Sequence, residues 1–311
     1  MKQEVLKVSR QRTISELSPW FDKQLDKLIE NQTFLSEYQL RKTLAQLVRD
    51  LADYSEQCNI NTVTIGMSGG VDSAVTAALF KLAGWDVKPY LLPIFQDPVE
   101  TSRGEEVCKA LSIEPVEIDL SKEAQLLTDR LVHINPMTNA ERKRAGNIRA
   151  RLRMITLYNE ASKYNGLVAS TDNFSELTAG FWTLHGDVGD LAPIQSLYKS
   201  WEVPMLARMM GLPKSVYEAK PTDGLGIDDG DEAQFGCSYL EWDIMLMSFL
   251  SNTDNFIIDD RGVEVYNLVK ERMENSAFKR LNPGYLNNSV DPSRLMDLHD
   301  LDEQWNPEVM K

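Results

Sequence analysis

The chain has 311 residues, 42% of them apolar, and a formal net charge of -14. That apolar content suffices for a large globular core, while the acidic balance repels phosphate backbones and excludes a broad nucleic-acid-binding surface. No run approaches the ~20 consecutive apolar residues of a membrane span, and three scattered cysteines, Cys58, Cys108 and Cys237, indicate neither a disulfide framework nor a zinc cluster. The first residues carry no apolar signal core, so a reducing cytoplasm is the expected setting.

Residues 13–57 read as polar amphipathic helices, one over 15–27 and one over 36–57, where Leu40, Leu44, Leu47 and Leu51 recur at helical spacing. They form a helical extension ahead of the first strand, packed on a core or serving dimerisation. Residues 62–67 are β-branched and strand-like, followed by a glycine turn and an apolar helix over 74–83. A second strand is expected over 86–95, a helix over 103–111 and a third strand over 115–118. After another helix, a long one over 139–164 leads into a buried-strand pattern at 167–170. Strands alternating with helices predict an α/β fold with an open, doubly wound, Rossmann-like parallel sheet covered on both faces. Past residue 200 the pattern becomes helices separated by a Gly/Asp/Pro-rich segment, 220–231. The expected division is a helical extension over 1–58, a main domain over 59–290 and a tail over 291–311.

Ser68-Gly69-Gly70-Val71-Asp72-Ser73 is the most informative hexapeptide. It falls where a strand turns into a helix. Glycines let the backbone turn tightly and approach a ligand without a Cβ. The first helical N–H groups lack intrahelical partners and hold anions. Ser68 and Ser73 add hydroxyl donors, and Asp72 can reach a Mg²⁺ bridging phosphate oxygens. No Gly-Lys-Ser/Thr follows, so this is not a Walker A loop. A plain glycine turn with a Ser/Asp cap would look similar over six residues, but the flanking strand and helix favour a phosphate cradle. Arg149 and Arg153 stand four apart and share a helical face, while Arg151 points elsewhere. Guanidinium forks suit phosphates and carboxylates; a solvated basic face is the plain alternative. Residues 170–176 follow a buried strand and should face the same crevice as 68–73, unless they are only a helix capped by Thr or Asp.

The hexapeptide is similar to the SGGxDS pattern of the ATP pyrophosphatases, which cleave ATP between its α- and β-phosphates. Further blocks, over roughly residues 60–285, resemble ammonia-dependent NAD synthetase. Gly146-Asn147-Ile148-Arg149-Ala150-Arg151-Leu152-Arg153-Met154 resembles its GNxxARxRM helix, and Thr171-Asp172 with Glu176 its TDxxxE block. The stretch from Gly180 through Asp187 and Asp190 to Pro193 is similar to GFFTKYGDGGxDxxP. Leu197-Tyr198-Lys199 resembles an LxK element, Pro221-Thr222 a PTxxL element, and Asp231-Glu232 with Tyr239 and Asp243 an acidic DE…Y…D stretch. Residues from Ser276 through Phe278, Lys279 and Arg280 to Gly284 resemble an SxFKRxxPxG tail.

The resemblance implies ATP binding by Ser68, Gly69, Gly70, Val71, Asp72, Ser73, Thr171, Lys199 and Thr222, with Mg²⁺ on Asp72 and Glu176. It implies a nicotinate-bearing substrate on Asn147, Arg151, Arg153, Asp187, Asp190, Phe278 and Lys279, with Asp72, Lys199 and Asp187 in catalysis. The reaction implied is ATP-dependent amidation of deamido-NAD by ammonia through an acyl-adenylate, in a homodimer that binds neither nucleic acid nor membrane. Ammonia is expected to be taken as such, because the segment ahead of the first strand is too short for a glutaminase domain, and glutamine-derived ammonia would come from another chain. Only His133, His185 and His299 are present, leaving a Ser-His-Asp or Cys-His nucleophile little to draw on. Two positions depart from the pattern: Leu184-His185 stands where the family has Lys-Tyr, and Lys143 where an aromatic residue is frequent. Nicotinic-acid mononucleotide is therefore the alternative acceptor. A tRNA-modifying adenylating enzyme and a non-catalytic nucleotide-binding protein are the competing readings.

Overall fold

A computed structural model describes residues 1–12, 16–132, 138–221, 230–251 and 259–280. Three helices come first: α1 Lys2–Arg12, α2 Pro19–Glu30 and α3 Glu37–Cys58. Ser18, in extended conformation, precedes Pro19, whose missing N–H is harmless in a first helical turn. The helix expected over 15–27 therefore lies a few residues later. A capping box between Ser36 and Gln39 opens α3, and Asn59 in the left-handed region (φ 52°) closes it. Helix α1 was not anticipated, because its sequence is polar and shows no apolar stripe; only its Val5 is fully buried among the described side chains.

Next come β1 Thr62–Gly66, α4 Val71–Leu82, β2 Asp86–Leu91, α5 Pro98–Leu111, β3 Val116–Glu117, α6 Ser121–Leu131, α7 Asn139–Ser162 and β4 Leu167–Val168. The strands form a parallel sheet in the order β3-β2-β1-β4, with Thr62 opposite Asp86 and Val63 opposite Leu167. Parallel neighbours need long crossovers, and the helices supply them. Successive strand side chains face opposite ways. Val63, Ile65, Val87 and Leu91 enter one apolar core, whereas Tyr90, Leu92 and Val168 enter another with Leu152 and Leu157 of α7. The sheet is thus covered on both faces.

Three boundaries differ from expectation for local reasons. Helix α4 begins at Val71, so Asp72 and Ser73 belong to its first turn. Strand β2 stops at Leu91; Pro93 follows, and Phe95 has a positive φ of 50°. Helix α5 begins at Pro98, capped by Asp97, whose carboxylate accepts from the Val99 N–H at 2.9 Å.

The remaining elements of this part are α8 Phe174–Ala179, α9 Glu202–Met209, α10 Lys214–Tyr217, α11 Asp231–Phe235, α12 Tyr239–Leu250 and α13 Asp260–Asn275. Residues 239–248 of α12 are all buried. The N-terminal helices share a core with α9 and α12: Trp20, Phe21, Leu25 and Leu28 pack in the cluster that holds Trp201, Leu206, Trp242 and Leu246. The Trp20 N–H donates to Asp259 at 2.8 Å and the Trp201 indole to the Leu35 carbonyl at 2.7 Å. Met1–Ser276 form one compact unit. A second, Ala277–Lys311, contains α14, Ala277–Arg280, with Phe278 exposed. Among the described residues no helix is long and apolar enough to cross a membrane.

Candidate active site

Strand β1 ends in the Ser68–Ser73 turn, and the turn is built rigidly. The Ser68 hydroxyl accepts from the Gly70 N–H at 3.2 Å and lies 3.1 Å from the Ser73 hydroxyl, which donates to the Gly70 carbonyl. Gly69 has φ +81°, and a Cβ there would lie 2.2 Å from the Glu100 carbonyl oxygen. Only glycine fits on both counts. No side chain caps the start of α4, and Gly70, Val71, Asp72 and Ser73 line a cleft of about 300 Å³ at the carboxyl ends of the strands.

Three charged side chains meet at the base of that cleft. The Lys199 ammonium is 2.5 Å from an Asp72 oxygen and 2.6 Å from a Glu176 oxygen. All three side chains are largely shielded, with 6%, 14% and 16% exposure. Burial pushes the Glu176 carboxyl up to about 8 against the pull of Lys199, with the Asp72 charge adding to the rise. The second Asp72 oxygen accepts from the Asn173 amide at 2.9 Å. Asn173 also caps α8, accepting from the Glu176 N–H at 3.0 Å. The cap is therefore Asn173, not Thr171 or Asp172, and one side chain orients both acids.

Ser68, Gly69, Gly70, Val71, Ser73, Thr171, Arg153 and Asp187 all line the same cleft. The Arg153 guanidinium donates to the Leu92 carbonyl at 3.0 Å, and burial pulls its pKa below the ordinary value. Asp187 accepts from the Thr183 N–H at 2.5 Å and so closes a turn on the cleft wall. Asn147 and Arg151 hold that turn from α7: Asn147 accepts from the Thr183 hydroxyl at 3.0 Å, and Arg151 donates to the Leu184 carbonyl at 3.1 Å. A Cβ on Gly186 would lie 2.9 Å from Thr183 and 3.0 Å from Ala150, so close packing of turn on helix requires glycine there.

Asp190 is exposed and bonded to the sheet: its oxygens accept from the Val168 N–H at 2.8 Å and the Tyr158 hydroxyl at 2.7 Å. Phe278 and Lys279 lie in α14 of the second unit. Thr222 lies outside the described residues.

The sequence assigns no individual role to several residues in or beside the cleft. Asp172 is buried and pushed up to about 7 by burial, with the Ser170 hydroxyl opposing and Asp187 and Asp72 adding. Arg103 brings another cation to the wall, 3.8 Å from Glu100, and its Nε has no hydrogen-bond partner. Tyr239 sets its ring 5.3 Å from the Lys199 ammonium. An Asn-x-x-Glu cap pattern could have revealed Asn173; nothing local marks Arg103. Asp72 and Glu176 supply two hard carboxylate oxygens beside the Ser68–Ser73 turn, a donor set that fits Mg²⁺ bound jointly with phosphates. Among the described residues no group of three or more His, Cys, Asp or Glu could hold a metal alone.

A family model described as NAD synthase matches residues 43–283. The NH(3)-dependent NAD(+) synthetase of Alkaliphilus oremlandii is 36% identical over 251 residues, covering 78% of this chain and 96% of that protein. The corresponding protein of Methanosarcina mazei is 33% identical over 248 residues, covering 76% and 94%. Among solved structures, an NMN synthetase from Francisella tularensis superposes with TM-score 0.68 at 27% identity, covering 79% of this chain and 99% of that one. An NH3-dependent NAD synthetase from Campylobacter jejuni gives 0.64 at 27% identity, with the same coverage. With a glycine turn between β1 and α4, a paired-acid cluster beside it and matches over most of its length, the chain belongs to the NAD synthase family, and with it to the ligases that form a carbon–nitrogen bond.

Proposed function

We propose that the protein converts deamido-NAD to NAD, with ammonia as nitrogen donor and ATP as the source of the leaving group. The observation that carries the reading is the Asp72–Lys199–Glu176 cluster set beneath the open start of α4. An ionised carboxylate resists attack by ammonia, so it must first gain a leaving group. A nicotinate oxygen attacks the α-phosphorus, the bond to the bridging oxygen breaks, and pyrophosphate departs. Ammonia nitrogen then attacks the acyl carbon, AMP leaves with the bonding pair, and the one surplus proton of the nitrogen passes to base.

In this reading the N–H groups of Val71, Asp72 and Ser73, the Ser68 and Ser73 hydroxyls, Lys199 and Thr222 receive the charge growing on pyrophosphate. Thr171 contributes to the ATP site. Asp72 and Glu176 would hold magnesium, which when bound neutralises phosphate oxygens. Asp187 orients the incoming ammonia, and Arg153 supplies a cation on the same cleft. Asn147 and Arg151 shape the acceptor side by fixing the Thr183–Asp187 turn, and Asp190 is a further substrate contact in this reading.

A second acceptor, nicotinic-acid mononucleotide, is favoured by Leu184, which offers no cation where the family pattern has one, and by the likeness to a structure described as an NMN synthetase. Chromatography of reactions with MgATP and ammonium chloride, run with each acceptor, decides. NAD and AMP formed together from the dinucleotide support the main reading. Amide from the mononucleotide alone moves the acceptor, and no AMP with either refutes both. A homodimer is part of the proposal, supported by Leu126, Leu131 and Ile155, exposed on α6 and α7; equilibrium sedimentation tests it.

A further inference from the structure

Glu176 and Lys199 belong to separate segments, yet their side chains meet at 2.6 Å. Their backbones are joined just as closely. The Phe174 N–H donates to the Leu197 carbonyl at 2.8 Å. The Ser175 hydroxyl accepts from the Lys199 N–H at 3.0 Å and donates to one oxygen of Asp243 at 2.5 Å. The other Asp243 oxygen accepts from the Ser200 N–H at 2.9 Å. Asp243 is fully buried in α12, where its neighbours Trp242, Ile244 and Met245 are apolar core residues. One oxygen thus grips the residue before Glu176, and the other the residue after Lys199.

A buried carboxylate at an otherwise apolar position is costly unless its hydrogen bonds are well made. Two separate donors on opposite oxygens call for an acid, because an amide offers only one accepting oxygen. We infer that Asp243 is a positioning residue that aims the Lys199 ammonium into the cleft. It acts through the Ser175 hydroxyl and the Ser200 amide and touches no substrate. The inference rests on the proposed role of Lys199 at the nucleotide phosphates.

The test is a double-mutant cycle on MgATP binding, measured by calorimetry without acceptor in wild type, Asp243→Asn, Lys199→Ala and the double variant, each shown folded by circular dichroism. Asp243→Asn should weaken MgATP about tenfold in the wild-type background, and less than twofold once Lys199 is gone, since its effect passes through that side chain. Equal weakening in both backgrounds, or none in either, overturns the inference. Lys199→Ala without effect would instead sink the phosphate role of Lys199 itself, so the two failures are distinguishable. Should Asp243→Asn not fold, Ser175→Ala replaces it in the same cycle under the same criterion.

Discussion

Replacing Gly69 by alanine separates two demands that the Ser68–Ser73 turn makes at one residue. The first is backbone conformation: at φ +81° an L side chain costs about 1–2 kcal/mol. The second is space. The new Cβ would sit 2.2 Å from the Glu100 carbonyl oxygen, whereas ordinary contact begins at 3.4 Å, so turn and α5 must part by the difference, 1.2 Å. That oxygen belongs to helix backbone and cannot rotate aside. Parting breaks the 3.2 Å bond from Gln96 to the Ser68 carbonyl and re-aims the N–H groups at the start of α4. Displacements of about 1 Å in a reacting geometry cost on the order of 100-fold in rate. Gly84 is the control, with φ +84° and nothing within 4 Å of an added Cβ. Gly84→Ala should lose about 1–2 kcal/mol in urea unfolding and keep activity within about twofold. Gly69→Ala should lose at least as much stability and about 100-fold in kcat/KM for ATP, followed as AMP release. A Gly69→Ala protein retaining a third of wild-type kcat/KM, or a Gly84→Ala protein equally inactive, refutes the reasoning.

Asp72→Ala should abolish AMP release while leaving circular dichroism near wild type; full activity would remove Asp72 from the magnesium assignment. Leu184→Lys should raise kcat/KM for deamido-NAD relative to the mononucleotide about tenfold, roughly the worth of one charge-assisted hydrogen bond; an unchanged ratio rules out a role for this position. Glu202, buried and accepting from the Tyr198 N–H at 2.9 Å, is pushed up to about 8 by burial, with Tyr198 opposing and the Asp243 charge adding. Between its ordinary value of 4.5 and about 8 the folded protein holds a proton that the unfolded chain has lost, so stability falls as pH rises through that window and levels off above it. Glu202→Gln removes this dependence. Its stability relative to wild type, read from urea midpoints at pH 5, 7 and 8.5, should rise by up to about 1.4 kcal/mol per pH unit; a difference constant with pH counts against the assignment.

The features legible in the sequence are those whose causes are local. The Ser68–Ser73 turn, the Thr62–Gly66 strand before it and α7 follow from glycine placement, β-branching and helical spacing, and the structure sets Lys199 beside Asp72 and Glu176 as one cluster. Nothing in the motif around Asp190 shows that its carboxylate bonds the Val168 N–H and the Tyr158 hydroxyl. Other features depend on contacts that no short window contains. Asn173 reaches Asp72 across 101 residues of chain, and Ser175 reaches Asp243 across 68. Helix α1 shows only weak amphipathicity, and its burial of Val5 depends on a core that other segments complete.

The docking of the N-terminal helices has a consequence in time. Trp20, Phe21, Leu25 and Leu28 leave the ribosome well before helix α12, which packs on α2, and Asp259, which bonds it. At about 5–20 residues per second, that apolar face waits on the order of ten seconds or more for its partners. Growing chains should therefore be most prone to aggregate, and most dependent on chaperones, until residue 259 has emerged.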